Sequence, residues 1–309
     1  MPETNQTTKW HGHEGVIVAS ANSFEVIDCN TCRFKHIVPI PSAEELETIY
    51  RHDYYSQEKP FYIDRYLEDK DWWHLVNSQR YEMLEQHLPE NRRSLLDIGS
   101  GPGLFLECGH QRGWRVKGIE PSLQASEYCR SVGLDVVSGQ FSETTAAGLG
   151  CFDAINLSLV LEHIPDPTAF LNLVHRHLST GGLISIVVPN DFNPFQRILQ
   201  HHLGFDPWWI APPHHINYFN FESLAKLVEY CGFEVLHQQA TFPIDLFLLM
   251  GDNYVGNDEM GRACHKKRMN FEKALCESGS GQLLISLQSA LAGQGLGREV
   301  VVFARKISA

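Results

Sequence analysis

Residues 94–106, Ser-Leu-Leu-Asp-Ile-Gly-Ser-Gly-Pro-Gly-Leu-Phe-Leu, constrain this chain more than any other stretch. Leu95, Leu96 and Ile98 make an apolar run of strand length, and glycines at 99, 101 and 103 follow at once. Such a turn lets the backbone reverse tightly and come close to a ligand. In an open parallel sheet, ligands bind beyond the carboxyl end of such a strand. The next strand-like run, Trp114 to Glu120, ends on an acid where a ribose-binding carboxylate follows a glycine turn of this kind.

The spacing separates two nucleotide readings. A pyrophosphate cofactor wants G-x-G-x-x-G with its phosphates on the helix N-terminus, but the last glycine position is Leu104. The chain reads D-x-G-x-G-x-G from Asp97, and an acid ahead of the first glycine suits a cationic amino-acid and sulfonium ligand better than a phosphate. At these residues the sequence resembles the class I S-adenosylmethionine-dependent methyltransferases. Residues 152–163 look like the fourth strand and following loop of that family, and 181–189 like its turn and fifth strand. The likeness runs over about residues 75–240 and returns with a last strand near 298–306. It implies an α/β architecture, a Rossmann-like doubly wound seven-stranded sheet. It also implies that Asp97, Gly99, Ser100, Gly101 and Gly103 cradle the amino-acid end of S-adenosylmethionine and that Glu120 holds the ribose. By the same likeness Gln140 or Phe141 meets the adenine, and Leu157 of the fourth strand joins the cofactor site.

Composition sets outer limits. A chain of 309 residues with 43% hydrophobic content can bury a large core. No run approaches the ~18 apolar residues of a membrane span. The first residues are polar and lack an apolar signal core, so the expected location is the cytoplasm. A formal charge of -12 without a Lys/Arg stripe lacks the footprint of a nucleic-acid binder. The expected partner is a small-molecule acceptor, with no nucleic acid and no membrane; oligomeric state is not legible. Eight irregularly spaced cysteines read as reduced thiols, most of them core fillers.

The exception among them is Cys29-Asn30-Thr31-Cys32, in a polar turn between strand-like runs at 24–27 and 34–38. With Trp10-His11-Gly12-His13 upstream, His11, His13, Cys29 and Cys32 offer four ligands for a structural zinc knuckle. The alternative is two surface histidines and an unmetallated thiol pair. The arrangement resembles an N-terminal zinc-binding module that precedes the catalytic domain in some sugar and natural-product methyltransferases, with histidines replacing its first C-x-x-C pair. Ser42 and Glu45 then form a capping box for a helix whose apolar face is Leu46, Ile49 and Tyr50. Tyr54 and Tyr55 follow, and the likeness makes them a lid over methyl donor or substrate.

The expected organisation is a knuckle-like module with lid helix at 1–70, a methyltransferase core at 71–240, a helical insertion at 241–297, and a last core strand and tail at 298–309. Residues 190–220, rich in aromatics, Pro and His, read as a substrate cap within the core, with Trp208 and Trp209 facing the acceptor. Methyl transfer needs in-line geometry and often a base. An imidazole titrating near neutrality suits that role. The H-x-x-Y-F run at 215–219 resembles the position of a candidate base in sugar methyltransferases. His215 is therefore the first candidate, His214 and Tyr218 the second, and His163, after the fourth strand, the third. His265, Lys266, Lys267 and Arg268 in the insertion offer a phosphate contact or a solvated helix face.

Two other readings stand beside this one. A nicotinamide-dependent sugar-modifying enzyme is opposed by Leu104. A non-catalytic methyltransferase relative serving as a binding or assembly subunit is opposed by the intact cofactor motif.

Overall fold

The computed structural model describes residues 6–42, 45–46 and 62–307, and their strands fall into two sheets. In chain order these are β1 (Thr7–Trp10), β2 (His13–Ala21), β3 (Phe24–Cys29), β4 (Lys35–Val38), β5 (Ser94–Ile98), β6 (Arg115–Glu120), β7 (Val136–Ser138), β8 (Phe152–Ser158), β9 (Leu178–Pro189), β10 (Asn217–Tyr218), β11 (Phe233–Ala240) and β12 (Glu299–Lys306).

The larger sheet runs β11-β12-β9-β8-β5-β6-β7. Its members from β9 to β7 are parallel, and β12 lies antiparallel between β9 and β11. The sheet is the seven-stranded, doubly wound one expected. All five residues of β5 are buried, as a central parallel strand covered on both faces requires. On one face the helices Pro167–Arg176 and Phe221–Tyr230 close over Leu96, Ile155 and Ile186. On the other face Lys70–His87 and Leu104–Gln111 close over Leu95, Ala154 and Val301. There Tyr81 stacks on Phe105 with centroids 4.5 Å apart, and only a glycine at 109 leaves room for its hydroxyl: a Cβ would stand 2.1 Å from it.

Local signals set the helix ends. Asp166 caps its helix by accepting from the Ala169 amide at 2.9 Å, and Asn220 does the same for Ser223 at 2.8 Å. Ser42 and Glu45 make the expected capping box.

The smaller sheet runs β1-β2-β3-β4-β10, antiparallel throughout. Its last strand comes from the cap region, far along the chain. The insertion supplies helices Asp245–Leu249, Asp258–Glu277 and Gly281–Gly293. Most of its basic cluster has partners within the chain. Lys267 pairs with Asp252 at 2.5 Å, His265 meets Asp69 at 3.1 Å, and Arg268 lies 4.5 Å over the Trp72 ring, leaving exposed Lys266. Among the described residues no helix is long and apolar enough to cross a membrane.

Candidate active site

A cavity of about 630 Å³ opens beyond the carboxyl ends of β5, β6 and β8. The glycine turn forms its floor, with positive φ at Gly99 (75°), Gly101 (51°) and Gly103 (78°). Side chains are excluded for space as well: a Cβ at Gly99 would stand 2.6 Å from Val160, and one at Gly103 2.5 Å from Leu134. Glu120, the last residue of β6, accepts from the Gly101 amide at 2.7 Å and the Ser122 amide at 2.8 Å. Asp97 accepts from the Asn156 side-chain amide at 2.7 Å.

Both acids line the cavity and are almost fully buried. Burial pushes Asp97 up to about 7, against the Asn156 hydrogen bond and the charge of Arg80. Burial also pushes Glu120 up to about 7, against its two amide donors, and the neighbouring Asp97 adds to the rise. A cationic group arriving here would hold both acids ionised. Ser100 Oγ and Asn156 Oδ1 are buried in the cavity wall without a hydrogen-bond partner, as sites for a polar ligand are.

Across the cavity stands a second group. Glu162, His163 and His215 bring one ligating atom each within 4.8 Å of one another. The His163 and His215 rings meet edge to face at 5.1 Å, and His163 Nε2 lies 3.8 Å from Glu162 Oε1. His163 Nδ1 is 2.6 Å from the His214 carbonyl, so that nitrogen carries the proton and Nε2 is the basic one. The Asn217 amide donates to the carbonyls of Leu161 (3.0 Å) and Ile164 (2.7 Å), lacing the two histidine-bearing segments together. Burial pushes Glu162 up to about 8, the charges of Asp191 and Glu299 adding to it. Such a set can move a proton or ligate a divalent cation.

A family model described as a methyltransferase domain matches residues 72–238. The chain belongs to that family. It is 30% identical over 128 residues to a ubiquinone biosynthesis O-methyltransferase of Methylococcus capsulatus, covering 37% of this chain and 54% of that protein. The Xanthomonas oryzae protein of the same name is 28% identical over 134 residues, covering 38% and 56%. The chain thus spans about half the length of these curated relatives. Among solved structures, the Burkholderia thailandensis 1,6-didemethyltoxoflavin-N1-methyltransferase, with 1,6-didemethyltoxoflavin and S-adenosylhomocysteine bound, superposes with a TM-score of 0.51. That likeness covers 94% of this chain and 99% of the other at 16% identity, and it shows a shared fold.

The methyltransferase domain brings most of the expected cofactor residues to one cavity: Asp97, Gly99, Ser100, Gly101, Glu120, Gln140 and Phe141 line it. Gly103 stands behind as the left-handed residue that starts the helix Leu104–Gln111. Leu157 is a correction. It is fully buried in the core, while its neighbours Asn156 and Ser158 face the cavity, as alternation along a strand dictates.

Among the base candidates, His215 and His163 line the cavity and His214 and Tyr218 do not. Tyr218 is buried, accepts from the Ala211 amide at 3.3 Å, and is pushed by burial still further above the range of a useful base. His214 contributes its carbonyl to His163. Trp208 and Trp209 are also corrections: they pack edge to face on each other at 4.9 Å, Trp209 on Phe192, away from the lining. Tyr54 and Tyr55 lie outside the described residues. The aromatic wall that is seen is Tyr66 stacked on Trp73, centroids 4.8 Å apart and planes within 6°.

Sequence reasoning missed Arg80. It lines the cavity from the buried face of Lys70–His87 and donates to Ser158 Oγ at 3.4 Å. An arginine beside Tyr81 and Leu84 on an apolar helix face was the available signal.

Away from the cavity, the metal candidates come together with one exchange. His13, Cys29, Cys32 and His36 place one ligating atom each within 4.8 Å of one another. His11 is a correction: it sits in the β1–β2 turn with φ 42°, its ring edge-on to Trp10. His36 of β4 takes the fourth place. Its Nδ1 engages the Ile37 carbonyl at 2.9 Å, leaving a buried Nε2 with no hydrogen-bond partner. Cys32 Sγ approaches His13 Nδ1 at 3.3 Å and Cys29 Sγ lies 3.8 Å from the same atom. Two thiols, two imidazoles and an orphaned ring nitrogen fit a tetrahedral zinc site.

Proposed function

We propose that this chain is an S-adenosylmethionine-dependent methyltransferase that methylates an oxygen of a small hydroxylated acceptor. The observation that carries the reading is the pair of buried carboxylates, Asp97 and Glu120, at the ends of adjacent parallel strands on the floor of one cavity. When bound, the cofactor supplies an electrophilic methyl group on a sulfonium. Asp97 and the glycine turn hold its amino group, Arg80 its carboxylate, Glu120 the ribose hydroxyls, and Gln140 with Phe141 the adenine.

The rest of the cavity serves the acceptor. His215 takes the proton from the acceptor hydroxyl, and His163, fixed by the His214 carbonyl, orients it. Glu162 beneath them balances the positive charge that builds on the imidazole. The stacked Tyr66 and Trp73 keep water from the reacting atoms. O-transfer is supported by the names of the curated relatives. A sugar, nucleotide sugar or glycan precursor is the acceptor class favoured by the likeness of the N-terminal segment to that of sugar methyltransferases. The joint approach of Glu162, His163 and His215 favours a second reading, in which they hold a divalent cation that activates the hydroxyl; turnover abolished by a chelator and restored by magnesium would select it.

The N-terminal sheet, in this proposal, carries one structural zinc on His13, Cys29, Cys32 and His36.

The test is calorimetric titration with S-adenosylhomocysteine, with NADH as control. Micromolar binding of the first compound alone, lost in the Asp97→Asn, Glu120→Gln double variant, is expected. Binding of NADH instead would overturn the reading of the glycine turn, and binding of neither would favour an assembly role.

A further inference from the structure

We infer that Arg298 is the anchor for an anionic group, a carboxylate or a phosphate, on the acceptor; this rests on the methyltransferase reading above. Arg298 stands just ahead of β12, and its carbonyl accepts from the Asn190 amide at 3.0 Å, which fixes it beside the end of β9. It lines the same cavity as Glu162 and His215. In the sheet order β12 is separated from the cofactor-bearing β5 by β9 and β8, so Arg298 belongs to the acceptor side.

Its side chain is half-buried, 32% exposed, and lines the cavity. Burial works against its charge, and Asp191, Asp245 and Glu299 hold it. The nearest of these, Asp191 Oδ1, is 3.9 Å from Nη1: close enough to balance charge, too far to accept a hydrogen bond. Among the described residues its side chain makes no hydrogen bond at all, whereas Arg80 in the same cavity engages Ser158.

A fork of five N–H donors that faces the cavity without an acceptor among the described residues suits a ligand that presents two oxygens in one plane. Carboxylates and phosphates do so; a lone hydroxyl does not. Burial raises Asp191 to about 7 and Glu162 to about 8, so an arriving anion can be met by proton uptake at either of them. Of the two arginines that line the cavity, Arg80 already engages Ser158, so Arg298 is the one left to meet an anionic group on the acceptor.

The experiment is a titration of the full chain, alone and with S-adenosylhomocysteine, with inorganic phosphate and with benzoate, followed by the ¹⁵N signals of arginine Nε–H groups. The signal that disappears in Arg298→Gln should shift saturably with at least one anion, and phosphate or benzoate as the better ligand names the acceptor's group. Arg298→Gln should bind that anion at least about tenfold more weakly, and Arg298→Lys, which keeps the charge but loses the fork, should fall between. An Arg298 signal that does not respond, or anion binding equal in the wild type and the Lys and Gln variants, overturns the proposal. Homocysteine-compound binding on the same samples tests the methyltransferase reading separately: anion binding without it leaves Arg298 an anion site and removes the cofactor.

Discussion

The Ile216 amide donates to the Glu162 carbonyl at 2.8 Å, and the Ile216 carbonyl in turn accepts from the Ile37 amide at 2.9 Å. The peptide that follows His215 is thus held on one side by the loop that carries Glu162 and His163 and on the other by β4. These bonds fix the backbone beside His215 relative to the cavity.

His215→Ala should therefore lower kcat by about 10²–10⁴-fold, the usual worth of general-base assistance, with affinity for S-adenosylhomocysteine unchanged. His163→Ala should cost less, since it orients rather than accepts. Unchanged turnover in His215→Ala, with a known acceptor in hand, would remove His215 from the mechanism.

The affinity for S-adenosylhomocysteine should rise with pH. Asp97 and Glu120 both titrate near 7 in the protein alone, and the ligand's ammonium favours their ionised forms, so binding releases protons. Affinity is then lowest below about pH 6 and levels off above about pH 8, and Asp97→Asn should flatten the profile. The same shifts act on folding with the opposite sense. Acids whose folded pKa is raised favour the folded state at low pH and lose that contribution as pH climbs from about 4 through 7. Without ligand, Asp97→Asn should melt higher than wild type at pH 8 by thermal unfolding.

Arg80→Gln should weaken the homocysteine compound by about ten- to a hundredfold, the scale of one charge-assisted hydrogen bond, in the same calorimetric assay. A change under twofold would take the cofactor's carboxylate away from Arg80.

Protein purified without chelator should carry one zinc per chain by elemental analysis. Cys32→Ser and His36→Ala should lose it and melt about 5–10 °C lower, whereas His11→Ala should keep it. Zinc retained by His36→Ala and lost by His11→Ala would restore the ligand set read from the sequence.

The cavity floor was legible because its geometry is local. Asp97, the glycines and Glu120 lie on two consecutive strands, where spacing alone decides geometry. Leu157 was misplaced by a single residue, since one step along a strand changes its face. His36 has no neighbour of its kind in sequence and joins the His/Cys cluster only because β4 pairs with β3. Trp208 and Trp209 looked like an acceptor wall from their richness in ring surface, but large rings bury best against one another, and they did. Arg80 and Arg298 carried no motif at all; only the closing of helix and last strand onto one cavity gives them a role.

The pairing of β4 with β10 joins His36 to Asn217. The two strands lie far apart in the chain, so the edge of β4 stays open until β10 has been made, and an uncovered edge is an invitation to a neighbouring chain. A metal captured early by His13, Cys29, Cys32 and His36, all of which precede that delay, would let the nascent hairpins hold their shape through it.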